Sequence, residues 1–164
     1  MTTWIDGESL RAVVLGAKAV KGPVTNPQTT STNLFTVAGG LVLVTGLVGI
    51  VTTVQGATTN SFNLQHTPTG GSAADLCAAT VCTSDAVGTI YTLTGVAADL
   101  LSAQTVTGTQ APSVTFGSMF AAAGKGIVLP SGAVSLKASG NNTGATTWTL
   151  FYVPVDTNAT VVAA

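Results

Sequence analysis

Short runs of apolar and β-branched residues alternate with turn-forming residues along most of the chain. From position 34 onward, Gly, Pro, Asn and Ser separate the runs LFTVA, GLVLVTGLVGIVTTVQ, SFNLQHT, VGTIYTLTG, PSVTFGS, GIVLPSGAVSLKAS and TTWTLFYVPV. Val, Ile, Thr and aromatic residues favour strands, and strands that recur between turn signals are typical of a sandwich or barrel. The pattern predicts an all-β fold of about seven or eight strands. We expect an antiparallel β-sandwich or jelly-roll-like barrel with an N-terminal arm.

Two turn signals lie near the C-terminus. The sequence LPSG at 129–132 predicts a turn between two strands, because apolar and polar residues alternate after it. The sequence SGNNTG at 139–144 predicts a hairpin turn, because Asn and Gly tolerate the positive φ angles that such turns need.

The longest apolar run, GGLVLVTGLVGIVTTVQG at 39–56, fits either a membrane segment or a buried strand. A membrane helix needs about 20 mainly apolar residues, whereas positions 41–54 include two Gly and three Thr. Apolar side chains occupy both alternating sets of positions, which is typical of a strand covered on both faces. We therefore interpret the run as a buried strand or pair of strands, whose second face is covered by another layer, another subunit or a shell surface.

The N-terminal region differs from the rest of the chain. Apolar residues near its start recur at helical spacing but would also suit an edge strand. The segment GPVTNPQTTSTN at 22–33 has the composition of a linker. We expect residues 1–33 to form an arm and linker and residues 34–164 to form the sandwich domain, so that deleting residues 1–22 leaves a folded domain. The N-terminus lacks a signal-peptide pattern, which favours folding in a cytoplasm.

Composition narrows the possible functions. Only 7% of the residues are charged and 46% are hydrophobic, with a formal net charge of -1. Five basic and six acidic residues provide no basic patch for nucleic acid. A surface with so little charge repels neighbouring molecules weakly, which favours a subunit of an assembly.

The residue types that usually carry chemistry are sparse and scattered. Cys77 and Cys82 lack the spacing and the further ligands of a zinc site, so buried free thiols are the favoured interpretation, with a local disulfide as the alternative. His66 is the only histidine, and the six carboxylates form no acid–base pair in sequence. The sequence therefore predicts no catalytic, cofactor-binding or metal-binding residue.

Four aromatic residues are candidates for a subunit interface. Trp148, Phe151 and Tyr152 cluster in TTWTLFYVPV, where packing in the core is the alternative interpretation. Trp4 lies in the arm, and a tryptophan close to a terminus suggests that the arm docks on a neighbouring molecule.

The stretches TPTGGSAADLCAA, LPSG and TGATTWTLFYVPVD, together with the C-terminal VVAA, resemble small virion structural proteins of tailed bacteriophages. The resemblance covers about residues 33–164 and includes no catalytic motif. It implies a capsid-associated β-sandwich that decorates or cements an icosahedral shell as a homotrimer. Its implied partner is the major capsid protein, and its implied location is the capsid surface of the virion.

Three other functions stay open from the sequence. A tail-fibre or head-spike module that binds the host surface is the main alternative, although the loops hold almost no aromatic residue. A small membrane protein inserted through the apolar run is the second alternative, and an enzyme is the last.

Overall fold

The part of the chain that the structure describes folds into two packed antiparallel sheets with one short helix. The computed structural model describes residues 7–26, 31–93, 101–103 and 126–164. The helix and strands in this part of the chain are α1 (Gly7–Leu15), β1 (Ala17–Thr25), β2 (Ser31–Ala38), β3 (Val42–Thr53), β4 (Ser61–Pro68), β5 (Ala74–Asp75), β6 (Thr80–Val81), β7 (Ile90–Leu93), β8 (Leu101–Ala103), β9 (Ile127–Leu129), β10 (Gly132–Ala138), β11 (Ala145–Pro154) and β12 (Thr160–Ala163).

The strand order is that of a jelly roll. Sheet I has the order β1-β11-β3-β7-β8, with β9 beside one end of β3. Sheet II has the order β12-β2-β10-β4-β5, with β6 beside the other end of β4. Four strands, β6, β8, β9 and β12, are additions to the basic pattern. Among the other eight, consecutive strands alternate between the sheets except for the β4–β5 hairpin, as in a double-sheet jelly roll. The predicted all-β sandwich is therefore confirmed.

The core lies between the sheets and is built from the inward positions of each strand. Trp148 of β11 is at its centre, with 0% of its surface exposed. Its ring stacks on Tyr91 at a centroid distance of 5.9 Å, and Phe62 from sheet II meets Tyr91 edge-on at 6.0 Å. Gly49 makes room for this stack, because a Cβ atom there would lie 2.6 Å from the Trp148 ring.

The long apolar run forms strand β3, so its interpretation as a strand is confirmed. Within the described residues only one face of β3 is buried, and Ile50 on the other face exposes 43% of its surface. Val42, Val44, Leu47 and Val51 are buried against sheet II. The pairing of β3 with β11 shifts by one residue between Phe151 and Tyr152. This irregularity changes which alternate positions point inward, and it explains in part why apolar residues fill both sets of positions. The remaining apolar residues of β3, which include Leu43, Val48 and Ile50, point away from the core.

The predicted boundary between arm and sandwich is wrong. Residues 17–25 form β1, which pairs with β11 from Ala17↔Tyr152 to Thr25↔Ala145 and is an edge strand of sheet I. The sandwich therefore begins at Ala17, and within the described residues only α1 precedes it. The sequence offered an edge strand as one interpretation of this region but assigned the region to an arm, because an edge strand with exposed Lys and Pro resembles a linker.

The predicted hairpin at 139–144 is also wrong. The strands on either side of it, β10 and β11, belong to different sheets, so the connection crosses over the end of the sandwich. Buried amides hold it in place: the Asn60 side-chain oxygen accepts hydrogen bonds from the Gly140 amide at 3.0 Å and the Ser139 hydroxyl at 3.1 Å. The Asn26 amide donates to the Thr143 carbonyl at 3.1 Å. The predicted strand PSVTFGS lies outside the described residues.

Candidate interaction surface

The outward face of sheet I is mainly apolar. Its side chains form rows across the strands, and the cross-strand pairs place Val20, Thr149, Val48 and Thr92 in one row. A second row contains Thr147, Ile50 and Ile90, and a third contains Val153, Leu43 and Val128. We call these ten residues the sheet I face.

Charge is nearly absent from this side of the sheet. Among the outward positions of sheet I whose side chains are described, Lys18 on the edge strand β1 is the one charged residue. Ile50 lies near the middle of the sheet and still exposes 43% of its surface. An outward apolar surface of this kind is typical of an interaction site.

The outward face of sheet II has a different character. Ser135 donates a hydrogen bond to the Asn33 side chain at 2.8 Å, and Gln65 donates to the Asp75 carboxylate at 2.5 Å. Lys137 is exposed on the same face. Amide, hydroxyl and charged groups that bond to one another or face water make this the hydrated side of the sandwich.

Helix α1 ends on the same side of the molecule as the sheet I face. The Thr45 hydroxyl, which points outward from β3, donates to the Leu15 carbonyl at 2.9 Å. Gly16 then ends the helix with a positive φ of 82° and lies against the Tyr152 carbonyl. Leu10 and Val14 lie four residues apart, on one face of the helix, and expose 53% and 69% of their surfaces. The helix therefore adds apolar surface beside the sheet.

The four aromatic candidates fall in different places. Trp148 and Tyr152 point into the core, where Trp148 cannot reach a neighbouring molecule, so the interface prediction is wrong for Trp148. Phe151 points outward from β11 and is partly exposed beside Lys18. Trp4 lies outside the described residues. The surface is instead formed by aliphatic residues such as Val20, which a search for aromatic anchors overlooks.

His66 has a structural role. It points inward from β4, and its Nε2 atom lies 3.1 Å from the Pro130 carbonyl, so the neutral ring donates through Nε2. Burial lowers its pKa below the usual value of 6.5, and the hydrogen bond to Pro130 opposes that shift. The ring thereby ties β4 to the LPSG turn. The Ser131 hydroxyl in that turn also accepts a hydrogen bond from the Gly40 amide at 3.1 Å.

Both cysteines are free and buried, which confirms the favoured interpretation. The Cys77 sulfur accepts a hydrogen bond from the Leu64 amide at 3.1 Å, and the Cys82 thiol donates to the Asn60 carbonyl at 3.4 Å. Burial raises the pKa of both thiols, and that of Cys82 reaches about 12. Because the thiolate is the reactive form, both groups are chemically inert in the folded chain.

A buried carboxylate was not predicted from the sequence. Asp85 accepts a hydrogen bond of 2.6 Å from the Tyr91 hydroxyl, and both residues are buried. Burial raises the pKa of Asp85, and the Tyr91 hydrogen bond opposes this rise. Burial is also the main cause of the raised pKa of Tyr91. No histidine or lysine is bonded to this pair in the described structure, so the arrangement fits a structural anchor under the Tyr91–Trp148 stack.

Two cavities bordered by described residues bear on the binding of a small ligand. No group of three or more His, Cys, Asp or Glu side chains in these ranges is placed to hold a metal ion. An apolar cavity between the sheets has a volume of about 20 Å³, room for about one water-sized sphere. A shallow polar cleft lies at one end of the sandwich, between residues 56–58 and 141–143. In the part of the chain that the structure covers, no helix has both the length and the apolarity to cross a membrane.

Comparison of the chain with protein-family models, with curated proteins and with solved structures found no match.

Proposed function

We propose that this protein is a structural component of a tailed-phage virion, which decorates or cements the capsid by bridging major capsid subunits. In this proposal it acts as a homotrimer on the capsid surface and performs no catalysis. It reaches the shell after folding in the host cytoplasm. Neither nucleic acid nor a membrane is a partner.

The contrast between the two outward faces of the sandwich is the observation that supports this function best. The central strands of sheet II present bonded amides, hydroxyls and charges, and its exposed valines, Val81 and Val162, lie on the short strands β6 and β12. The sheet I face instead presents aliphatic side chains and threonine across neighbouring strands. A protein that lived alone in solution would gain nothing from one apolar face, because exposed apolar surface is costly in water. A subunit of an assembly needs one face of each kind, one toward water and one against its neighbours.

Helix α1 suits a role as a contact to the shell. Its exposed Leu10 and Val14 form an apolar edge at the N-terminal end of the sandwich. Burial of apolar surface contributes about 25 cal/mol per Å² before entropic costs. Three such edges in a trimer would bind as one multivalent unit, so a weak contact at each subunit would still give firm attachment.

The experiment uses the purified full chain and empty capsids assembled from the major capsid protein of the same phage. Light scattering in detergent-free buffer measures the mass of the chain, and sedimentation then measures its binding to capsids. The proposal predicts a soluble trimer of about three times 16.2 kDa that pellets with capsids and stays in the supernatant without them. A chain that never pellets with capsids contradicts the cement function.

A second function has one observation in its favour. The polar cleft at 56–58 and 141–143 lies at a loop end of the sandwich, where a head-spike or tail-fibre module would present a site for host glycan. Thr58, Asn141 and Thr143 offer hydrogen-bonding groups there, but none of the residues that line the cleft is aromatic. Binding of the full chain to a glycan array, together with failure to bind capsids, would favour this second function.

A further inference from the structure

We infer that the sheet I face packs against other copies of this chain, so that it faces the symmetry axis of the homo-oligomer. The partner is therefore a second copy, and sheet II faces outward to water. This inference rests on the oligomer in the proposed function but does not depend on the capsid.

The chemistry of the face restricts what can cover it. A charged partner would lose hydration and gain no compensating charge, because Lys18 is the one charged side chain at the described outward positions of sheet I. An apolar partner of matching character is required. A second copy supplies such a surface, and its lack of like charges removes the usual repulsion between identical faces.

The shape of the face also fits a second copy. Rows of Val, Thr and Ile on neighbouring strands form a pleated surface, and such surfaces pack sheet against sheet at about 10 Å. A two-fold interface uses the same patch on both subunits, whereas a closed three-fold ring joins two different parts of each subunit. Three sandwiches whose sheet I faces turn toward one axis would each cover part of the face of both neighbours.

The area of the sheet I face determines how strongly copies of the chain are expected to associate through it. With strands about 4.8 Å apart and outward residues about 6.7 Å apart along each strand, the ten side chains cover about 300 Å² of flat sheet. Stable interfaces bury about 800 Å² per partner. Association through this face alone is therefore expected to be weak and to depend on protein concentration.

The test compares one substitution on each outward face. Ile50→Lys places a charge in the middle of the sheet I face, and Val162→Lys places the same charge on β12 of sheet II, where the valine exposes 54% of its surface. Light scattering over a range of concentrations measures the mass of the native chain and of both variants. Circular dichroism and thermal unfolding show that each variant is folded.

The native chain is expected to be an oligomer, and Ile50→Lys is expected to raise the midpoint concentration of association about tenfold or more, which corresponds to about 1.4 kcal/mol. Val162→Lys is expected to leave that midpoint unchanged. If Ile50→Lys fails to fold, Ile50→Thr replaces it, because threonine keeps the β-branched shape and removes only part of the apolar surface.

Three results would overturn the inference. They are a native chain that stays monomeric at every concentration, equal weakening by both lysine variants, and no weakening by Ile50→Lys or Ile50→Thr. Capsid sedimentation of the same samples separates this inference from the cement function. An oligomer that depends on Ile50 but ignores capsids leaves the inference standing and contradicts the proposed function.

Discussion

His66 shows how one buried side chain couples the stability of the sandwich to pH. Burial lowers the pKa of its ring below 6.5, so the unfolded chain takes up a proton at a higher pH than the folded chain does. Between these two pKa values the unfolded state binds more protons, and the free energy of unfolding falls as the pH falls. The stability that the neutral ring provides is therefore complete above pH 6.5 and is lost progressively below it.

The variant His66→Gln tests this coupling. Glutamine keeps an N–H group that can donate to the Pro130 carbonyl, so we expect a change of less than about 1 kcal/mol in the free energy of unfolding at pH 7.5. Below pH 6.5 the variant should lose less stability than the native chain. Denaturant unfolding at several pH values measures the difference, and parallel pH profiles for the two proteins would contradict the assignment.

Asp85 changes the free energy of unfolding with pH in the opposite direction to His66. Its raised pKa means that the folded chain binds a proton that the unfolded chain has already released, so this group favours folding as the pH falls toward its ordinary value of 3.8. The pH profile of the native chain therefore contains two opposed contributions, and the comparison with His66→Gln isolates the contribution of the histidine.

At the scale of the elements, β1 determines how much of the N-terminus can be removed. Deleting residues 1–15 removes α1 and leaves every paired residue of β1, whereas deleting residues 1–22 also removes the pairs from Ala17 to Lys21. We expect the shorter deletion to leave a folded sandwich. The longer one should lose about 2.5–5 kcal/mol, at about 0.5–1 kcal/mol for each of the five lost pairings.

Denaturant unfolding of the two truncated chains measures this difference. Equal stability of both chains would show that β1 contributes little to the sandwich. Capsid sedimentation of the shorter deletion then examines the contribution of α1 to binding without disturbing sheet I.

The sequence predicted elements better than it predicted connections. Strand periodicity is local, so β2, β3, β4, β7, β10 and β11 could be located from apolar runs. The partners of those strands could not, because the choice between a hairpin and a crossing to the other sheet at 139–144 depends on distant residues such as Asn60. The sequence did indicate a second apolar set of positions in the run that forms β3, and these positions became part of the sheet I face. Its continuation onto Val20 and Val128 follows only from strand order.

At the scale of the whole molecule, the two thiols report on the opening of the sandwich. Cys77 and Cys82 are buried, and the pKa of Cys82 is raised to about 12. At pH 8 a rise in pKa from 9 to about 12 lowers the thiolate fraction about 10³-fold. We expect both thiols to react slowly with a disulfide reagent in the native chain and rapidly in denaturant.

The measurement is the absorbance released by the reagent over time, with and without denaturant. Two thiols per chain should react after unfolding. Rapid reaction of one thiol in native buffer would show that its part of the fold opens on its own. A denatured chain with no reactive thiol would show that the cysteines form a disulfide.

The order of pairing has a consequence for how the chain is made. β1 pairs with β11, and β2 lies between β10 and β12, so the first two strands find their partners more than 90 residues later in the sequence. During synthesis these strands emerge from the ribosome well before any neighbour exists for them. Folds dominated by such distant pairings form slowly and expose apolar strands while they wait. A chaperone that shields the long apolar strand β3 during synthesis should therefore raise the yield of folded chain.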